Sequence, residues 1–154
     1  MDQIDRDILF HLQRDGRMTN ADLAARVGLS PSPCLRRVRQ LEASGVITGY
    51  HASVDPSRVG RGFQAVVHAD MAVADRATIE EFDRQVAALE EVTECHRMFG
   101  DPGYLIRVAV ADVAAYEQLY MNRLAGLPGV AKLTTQLTMK TVKAPGPLPV
   151  DDRL

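Results

Sequence analysis

Cysteine is scarce in this chain: Cys34 and Cys95 are the only two among 154 residues, and they lie far apart in sequence. A disulfide framework is therefore excluded, and the usage fits a reducing compartment. Apolar runs are short, none approaching the span of a membrane helix, and the opening MDQIDRDILF is acidic and helical in pattern, unlike a basic secretory segment. The expectation is a soluble, cytoplasmic protein with no membrane partner. There is no internal repeat, and no strong charge of either sign, since the formal net charge is −2. With 46% hydrophobic and 25% charged residues the chain has enough apolar material for one large or two small cores.

Catalytic constellations are also missing. Cys95 and His96 are adjacent, but neighbours on a strand point to opposite faces, so they do not form a nucleophile and base or share a metal. His11, His51 and His68 are scattered without ligand spacing. Gly100 to Gly103 lies between two extended stretches and lacks the following helix and Lys-Ser/Thr of a phosphate loop. No catalytic residue, metal site or cofactor is expected, and the chain does not read as an enzyme.

The charge that is present is unevenly placed. From Met1 to Arg61 there are nine basic and seven acidic residues, whereas Gly62 to Leu154 has nine basic and thirteen acidic. All nine basic residues of the first part are Arg, the side chain suited to phosphates and guanine edges, so any affinity for nucleic acid belongs to the N-terminal part. The excess is small, and a single copy should bind weakly.

Three helices are legible there. Asp2 caps the first, with Ile4, Ile8, Leu9 and Leu12 as its apolar stripe and an end near Gly16. Thr19 caps the second, which runs through Leu23, Ala24 and Val27 to a stop at Gly28. Ser30 opens the third, its hydroxyl placed to accept from first-turn amides, with Pro31 at the position where a missing N–H costs nothing and Gly45 at the end. At helical spacing Cys34, Leu35, Val38 and Leu41 share the core face, while Ser32, Pro33, Arg36 and Gln40 face outward, flanked by Arg37 and Arg39. Such a face suits the major groove, where Arg reads guanine, Gln reads adenine, and Ser or further Arg hold phosphates. From charge alone an ordinary surface helix with solvated side chains is the preferred reading, since helix-turn-helix geometry also occurs in proteins that bind no DNA. Val46 to Val54 offers β-rich sequence that would complete a winged helix-turn-helix over residues 1–54. A turn-rich linker follows at 55–62.

The grammar then changes. Phe63 to Val73 alternates as a strand, Ile79, Phe82, Val86 and Leu89 recur as a helix, and Val92–Phe99 and Tyr104–Val110 form a hairpin around Gly100-Asp101-Pro102-Gly103. Val113, Tyr116, Leu119, Tyr120 and Leu124 stripe another helix, and Val130 to Val142 is a last long strand. The order β-α-β-β-α-β over 63–143 is that of the ferredoxin-like split unit, whose helices cover one sheet face and leave the other bare. A bare face of this kind predicts a homodimer. Residues 144–154 form a Pro-rich tail, read as mobile or extended. The fold class is thus α+β.

This arrangement resembles the Lrp/AsnC (leucine-responsive, feast/famine) transcription regulators. The likeness is carried by Asp2-Gln3-Ile4-Asp5-Arg6-Asp7-Ile8-Leu9, by Leu29-Ser30-Pro31-Ser32-Pro33-Cys34-Leu35-Arg36-Arg37-Val38-Arg39-Gln40-Leu41-Glu42, by Gly45-Val46-Ile47-Thr48-Gly49-Tyr50, and by Gly100-Asp101 with Tyr104. It spans all but the tail. The resemblance implies a winged-helix DNA reader joined to an ACT-like domain that binds an effector, an amino acid or related metabolite, and oligomerises. Dimers of the family commonly assemble further, up to octamers. By position Ser30, Ser32, Pro33, Arg36, Arg37, Arg39 and Gln40 would contact double-stranded DNA at a palindromic operator. The effector would lie near Met98, Phe99, Gly100, Asp101, Pro102, Gly103 and Tyr104, with Gln136 and Thr138.

One departure stands out. The family turn usually reads Gly-Asp-x-Asp-Tyr, and here Gly103 replaces the second acid. An α-amino group wants a carboxylate or carbonyls, so its plainest partner is gone. Carbonyls of the turn, a different ligand, or loss of sensing are the alternatives. A module that binds a small molecule or a protein without specific DNA binding is the alternative for the whole chain.

Overall fold

The structure, a computed structural model, describes residues 1–72, 75–101 and 103–150. Val73, expected at the end of a strand, and Pro102, expected at the effector turn, lie outside the described residues. Tertiary contacts divide the chain into two compact units: Met1–Ser53 with the segment from Val142 onward, and Val54–Thr141.

The first unit is helical. α1 (Gln3–Leu12) opens with a capping box in which the Asp2 carboxylate accepts from the Asp5 amide and the Asp5 carboxylate from the Asp2 amide. It stops at Leu12, short of the expected Gly16, because the amides of Arg14 and Asp15 turn back onto the His11 carbonyl and the Asp15 carboxylate accepts from Arg17 N. α2 (Asn20–Arg26) is capped by Thr19, which accepts from Asp22 N. Its end is a left-handed Gly28 (φ 69°), with the Leu29 amide bonded to the Ala24 carbonyl, the six-to-one closure that only a residue tolerant of positive φ allows cheaply.

α3 (Pro31–Ala43) corrects two expectations. Ser30 occupies the N-cap position, yet its hydroxyl makes no capping bond. The amides an N-cap accepts from are those of the second and third helical residues, and the third here is Pro33, which has none. Leu35, expected in the core, is exposed, whereas Arg37, expected at the rim of the outer face, is half-buried. The core of the unit is Ile8, Leu9, Leu23, Ala24, Cys34 and Leu41. Residues 46–54 form no strand within this chain. The tail is extended, as one of the expected alternatives, but it is also docked: Gln13 donates from Nε2 to the Leu148 carbonyl (3.1 Å) and accepts from its amide (2.6 Å), and Val150 packs on the core.

The second unit is a four-stranded antiparallel sheet of β1 (Phe63–Met71), β2 (Val92–Arg97), β3 (Tyr104–Val110) and β4 (Val130–Leu137), in the order β2-β3-β1-β4. α4 (Arg76–Ala87) and α5 (Val113–Asn122) cover one face. Strict alternation on β1 buries Ala65, Val67 and Ala69, which meet Tyr104, Ile106, Val108 and Val110 of β3, Phe82 and Val86 of α4, and Leu119 of α5. β4 is shorter than expected. Its partner β1 begins at Phe63, so after the Thr138 amide bonds the Gln64 carbonyl no ladder remains for residues up to Val142. The opposite face carries Val66 and Leu105 within a polar frame. There His68 Nε2 lies 3.2 Å from Gln136 Oε1, and Glu94 pairs with Arg107 (3.0 Å) and His96 (2.5 Å). Among the described residues no helix is long and apolar enough to cross a membrane.

Candidate DNA-reading helix and effector cleft

α3 is held on its inner side at its start and at its middle. Arg37 Nη1 reaches Asp2 Oδ2 and Asp5 Oδ1, each at 2.8 Å, tying α3 to the first turn of α1. The Asp2 carboxyl is held below the usual range, first by the Asp5 amide and then by the Arg37 guanidinium, whose own pKa rises on pairing with Asp5 and Asp2. Asn20 donates from Nδ2 to the Pro31 carbonyl at 2.8 Å and so sets the start of α3 against α2. Of the residues expected to meet DNA, Ser32, Arg36, Arg39 and Gln40 are exposed together and line one open groove of about 450 Å³ with Leu35 and Ala43. Ser30 is exposed at the N-cap and Pro33 is half-buried. Among the described residues no carboxylate pairs with Arg36 or Arg39, so both cations are available to an anion. Arg37 is committed elsewhere.

At the other expected site the hairpin closes through the Met98 amide on the Gly103 carbonyl (2.8 Å), with Gly100 at φ 111°. Met98, Gly100, Asp101, Gly103 and Tyr104 line a cleft of about 320 Å³. Phe99 points away and is fully exposed, and Gln136 and Thr138 do not line the cleft, lying farther along the sheet opposite Val66 and beside Gln64. The Tyr104 ring is buried against Phe82, and its hydroxyl donates to Asp83 Oδ1 at 2.6 Å. Burial, then the bond to Asp83, pushes that hydroxyl up to about 12, so it remains a donor. Four lining residues were not foreseen: Asp70, Met71, Ile79 and Arg97. Asp70 and Met71 arrive because Ala69 pairs with Tyr104, a register that no local pattern announces. Arg97, 3.8 Å from Asp83, ends β2 and brings the cleft a cation. The cleft thus offers an Arg, two Asp carboxylates and a Met-Met-Ile wall, a set suited to a small zwitterion with an apolar side chain.

Residues 1–48 match the family described as winged helix-turn-helix DNA-binding, and residues 64–148 match the Lrp/AsnC ligand binding domain. The chain belongs to the Lrp/AsnC family. Like its relatives it is a transcription regulator with a helix-turn-helix DNA-binding part and a ligand-binding part. The leucine-responsive regulatory protein of Haemophilus influenzae is 43% identical over 143 residues, covering 93% of this chain and 86% of that one. The leucine-responsive regulatory protein of Escherichia coli K12 is 41% identical over 153 residues, 99% of this chain and 93% of that one. Among solved structures, a transcriptional regulator of Neisseria meningitidis in complex with L-methionine superposes with a TM-score of 0.93 at 34% identity, over 100% of this chain and 99% of that one. An AsnC family regulator of Agrobacterium tumefaciens gives 0.92 at 37%, with both chains fully covered. In this Lrp/AsnC chain Gly103 leaves room where a side chain is absent, for a Cβ there would meet Met71 Cγ at 3.4 Å and the Ala69 carbonyl at 3.6 Å, both ordinary contacts.

Proposed function

We propose that this Lrp/AsnC regulator reads a palindromic operator with α3 and responds to an amino acid held in the cleft around Arg97 and Asp101, controlling genes of amino-acid metabolism or transport. The observation that carries the reading is the outward face of α3, where Arg36 and Arg39, neither with a carboxylate partner among the described residues, stand beside Ser32 and Gln40. Arg36 and Gln40 read base edges, Arg39, Ser30 and Ser32 hold phosphates, and Pro33 borders the contact. Arg37 acts on DNA through the position of α3, which it ties to α1. Residues 1–54 are the DNA-binding domain, 55–62 the linker, 63–143 the effector and assembly domain, and 144–154 the tail.

In the cleft, Arg97 takes the ligand carboxylate, Asp101 and Asp70 take the ammonium in place of the acid missing at Gly103, and Met71, Met98 and Ile79 take the side chain. Two copies join through the bare sheet face around Val66 and Leu105, and dimers assemble further, up to an octamer, in the cytoplasm. Leucine-responsive relatives and the L-methionine complex support an apolar amino acid as the effector class.

The test is a titration of the protein against the promoter of its own gene at two salt concentrations, with and without a panel of amino acids. Salt-sensitive binding shifted by an apolar amino acid is expected. Binding that no ligand shifts removes the sensing half of the proposal, and absence of specific binding at any salt removes the α3 assignment in favour of an interaction module.

A further inference from the structure

Leu35 stands out on the outer face of α3. It is 38% exposed, and it shares the open groove with Ser32 three residues before it, Arg39 four residues after it, and Arg36 and Gln40. Residues at those spacings lie on one row of a helix, so a leucine side chain sits in the middle of a row whose other members are a hydroxyl and a guanidinium with no carboxylate partner among the described residues. The core of the unit is complete without it, being built from Cys34 and Leu41 of α3 against α1 and α2. An isolated exposed leucine on a protein surface is unremarkable. This one lies on the face whose other side chains serve DNA, and in the half of α3 nearer its N-terminus, the part of a recognition helix that reaches base edges.

We propose that Leu35 is a specificity residue that selects thymine by contact with the C5-methyl group. The assignment rests on the reading of α3 as the DNA-contacting helix. In the major groove the base edges present donors, acceptors and one apolar group, the thymine methyl. A leucine has nothing to offer the donors and acceptors, and placing it against them strips their water without a replacement bond. Against the methyl both partners leave water together. Ser32 and Arg39, on either side of Leu35 in the row, anchor the backbone and fix the height at which the side chain meets the groove floor. Arg36 and Gln40 then read neighbouring pairs by hydrogen bonds, so the half-site combines polar readout with one methyl contact.

Deoxyuridine tests this directly, because it differs from thymidine only by the missing methyl. Each thymine of an operator fragment from the protein's own promoter is replaced in turn, and binding of the full-length protein is followed by fluorescence anisotropy at fixed salt. One thymine per half-site is expected at which uracil weakens wild-type binding about fourfold, the worth of one methyl-sized group moved out of water, and roughly fifteenfold when both half-sites are changed. Leu35→Ala is expected to bind the thymine operator more weakly and to lose this sensitivity, while Leu35→Met, which keeps an apolar side chain, retains it. Wild-type binding indifferent to uracil overturns the proposal, and so does a uracil effect of the same size in Leu35→Ala. The wild-type arm does not depend on how the variants fold. Absence of salt-sensitive specific binding by wild-type protein overturns the DNA-reading assignment itself, an outcome distinct from specific binding that ignores the methyl.

Discussion

Arg39→Ala separates phosphate contact from base reading. Arg39 is exposed, has no carboxylate partner among the described residues, and lies on the outer row of α3 away from the Cys34 and Leu41 side. Alanine is at least as good a helix former as arginine, so the substitution removes one cation and leaves the fold intact. Each phosphate contact contributes roughly −0.9 to the slope of log K against log salt on duplex DNA, so a two-fold dimer that loses one contact per protomer has a slope shallower by about 1.8. Between 50 and 200 mM salt the wild-type affinity should therefore fall about tenfold more than that of the variant. The assay is anisotropy at four or five salt concentrations on the operator and on an unrelated duplex. The variant should lose affinity on both duplexes alike, whereas Arg36→Ala should relax base choice, each bidentate contact being worth roughly 1–3 kcal/mol of discrimination. An unchanged slope in Arg39→Ala would refute the phosphate assignment.

Thr19→Ala should destabilise the helical unit by about 1 kcal/mol, because it removes a capping bond, while Ser30→Ala should stay within about 0.5 kcal/mol; thermal melts that rank them the other way contradict the capping argument. Asp2 is held below its ordinary pKa in the fold, so its contribution is present above the unfolded value near 3.8 and is lost as pH falls through the lowered folded value. Acid melts of Arg37→Ala should accordingly show a weaker loss of helical-unit stability below about pH 4 than wild type, and identical acid profiles would remove the Asp2–Arg37 coupling. Gly103→Asp should be accepted sterically, its Cβ 3.4 Å from Met71 Cγ, and should tighten amino-acid binding about tenfold or more by restoring a carboxylate for the ammonium. Calorimetry that finds no change would mean the ammonium is bound elsewhere.

What was legible beforehand was local. Asp2 and Thr19 cap helices through residues three positions away, Gly28 ends one through its own φ, and the alternation of β1 against the helical spacing of Phe82 and Val86 needs no knowledge of distant chain. These signals were enough for the order of the helices and the four sheet strands and for the two-part architecture, while the β-rich run at 46–54 forms no strand. Ser30 failed locally as well: its neighbour Pro33 had already removed an amide it needed, a consequence readable from sequence once the donors are counted.

The effector cleft was only half legible. The hairpin turn announced Met98 to Tyr104, but Asp70, Met71 and Ile79 join it through strand pairing and helix packing, although they lie far from it in sequence. The length of β4 was likewise set by where its partner β1 begins, since a strand ends when its ladder does.

Sequence by itself determined the helices, the four sheet strands, their order and the family, though not residues 46–54, which form no strand, because caps, turns and periodicities act within a few residues and survive without tertiary context. The tertiary structure alone decided the two borderline positions of α3. At about 100° per residue Leu35 lies about 100° from Cys34 and Arg37 about 60° on the other side, so both sit at the edge of the core face. The carboxylates of Asp2 and Asp5 lie on one of those sides, drawing Arg37 inward, and the other side is left open, which puts Leu35 on the outer face.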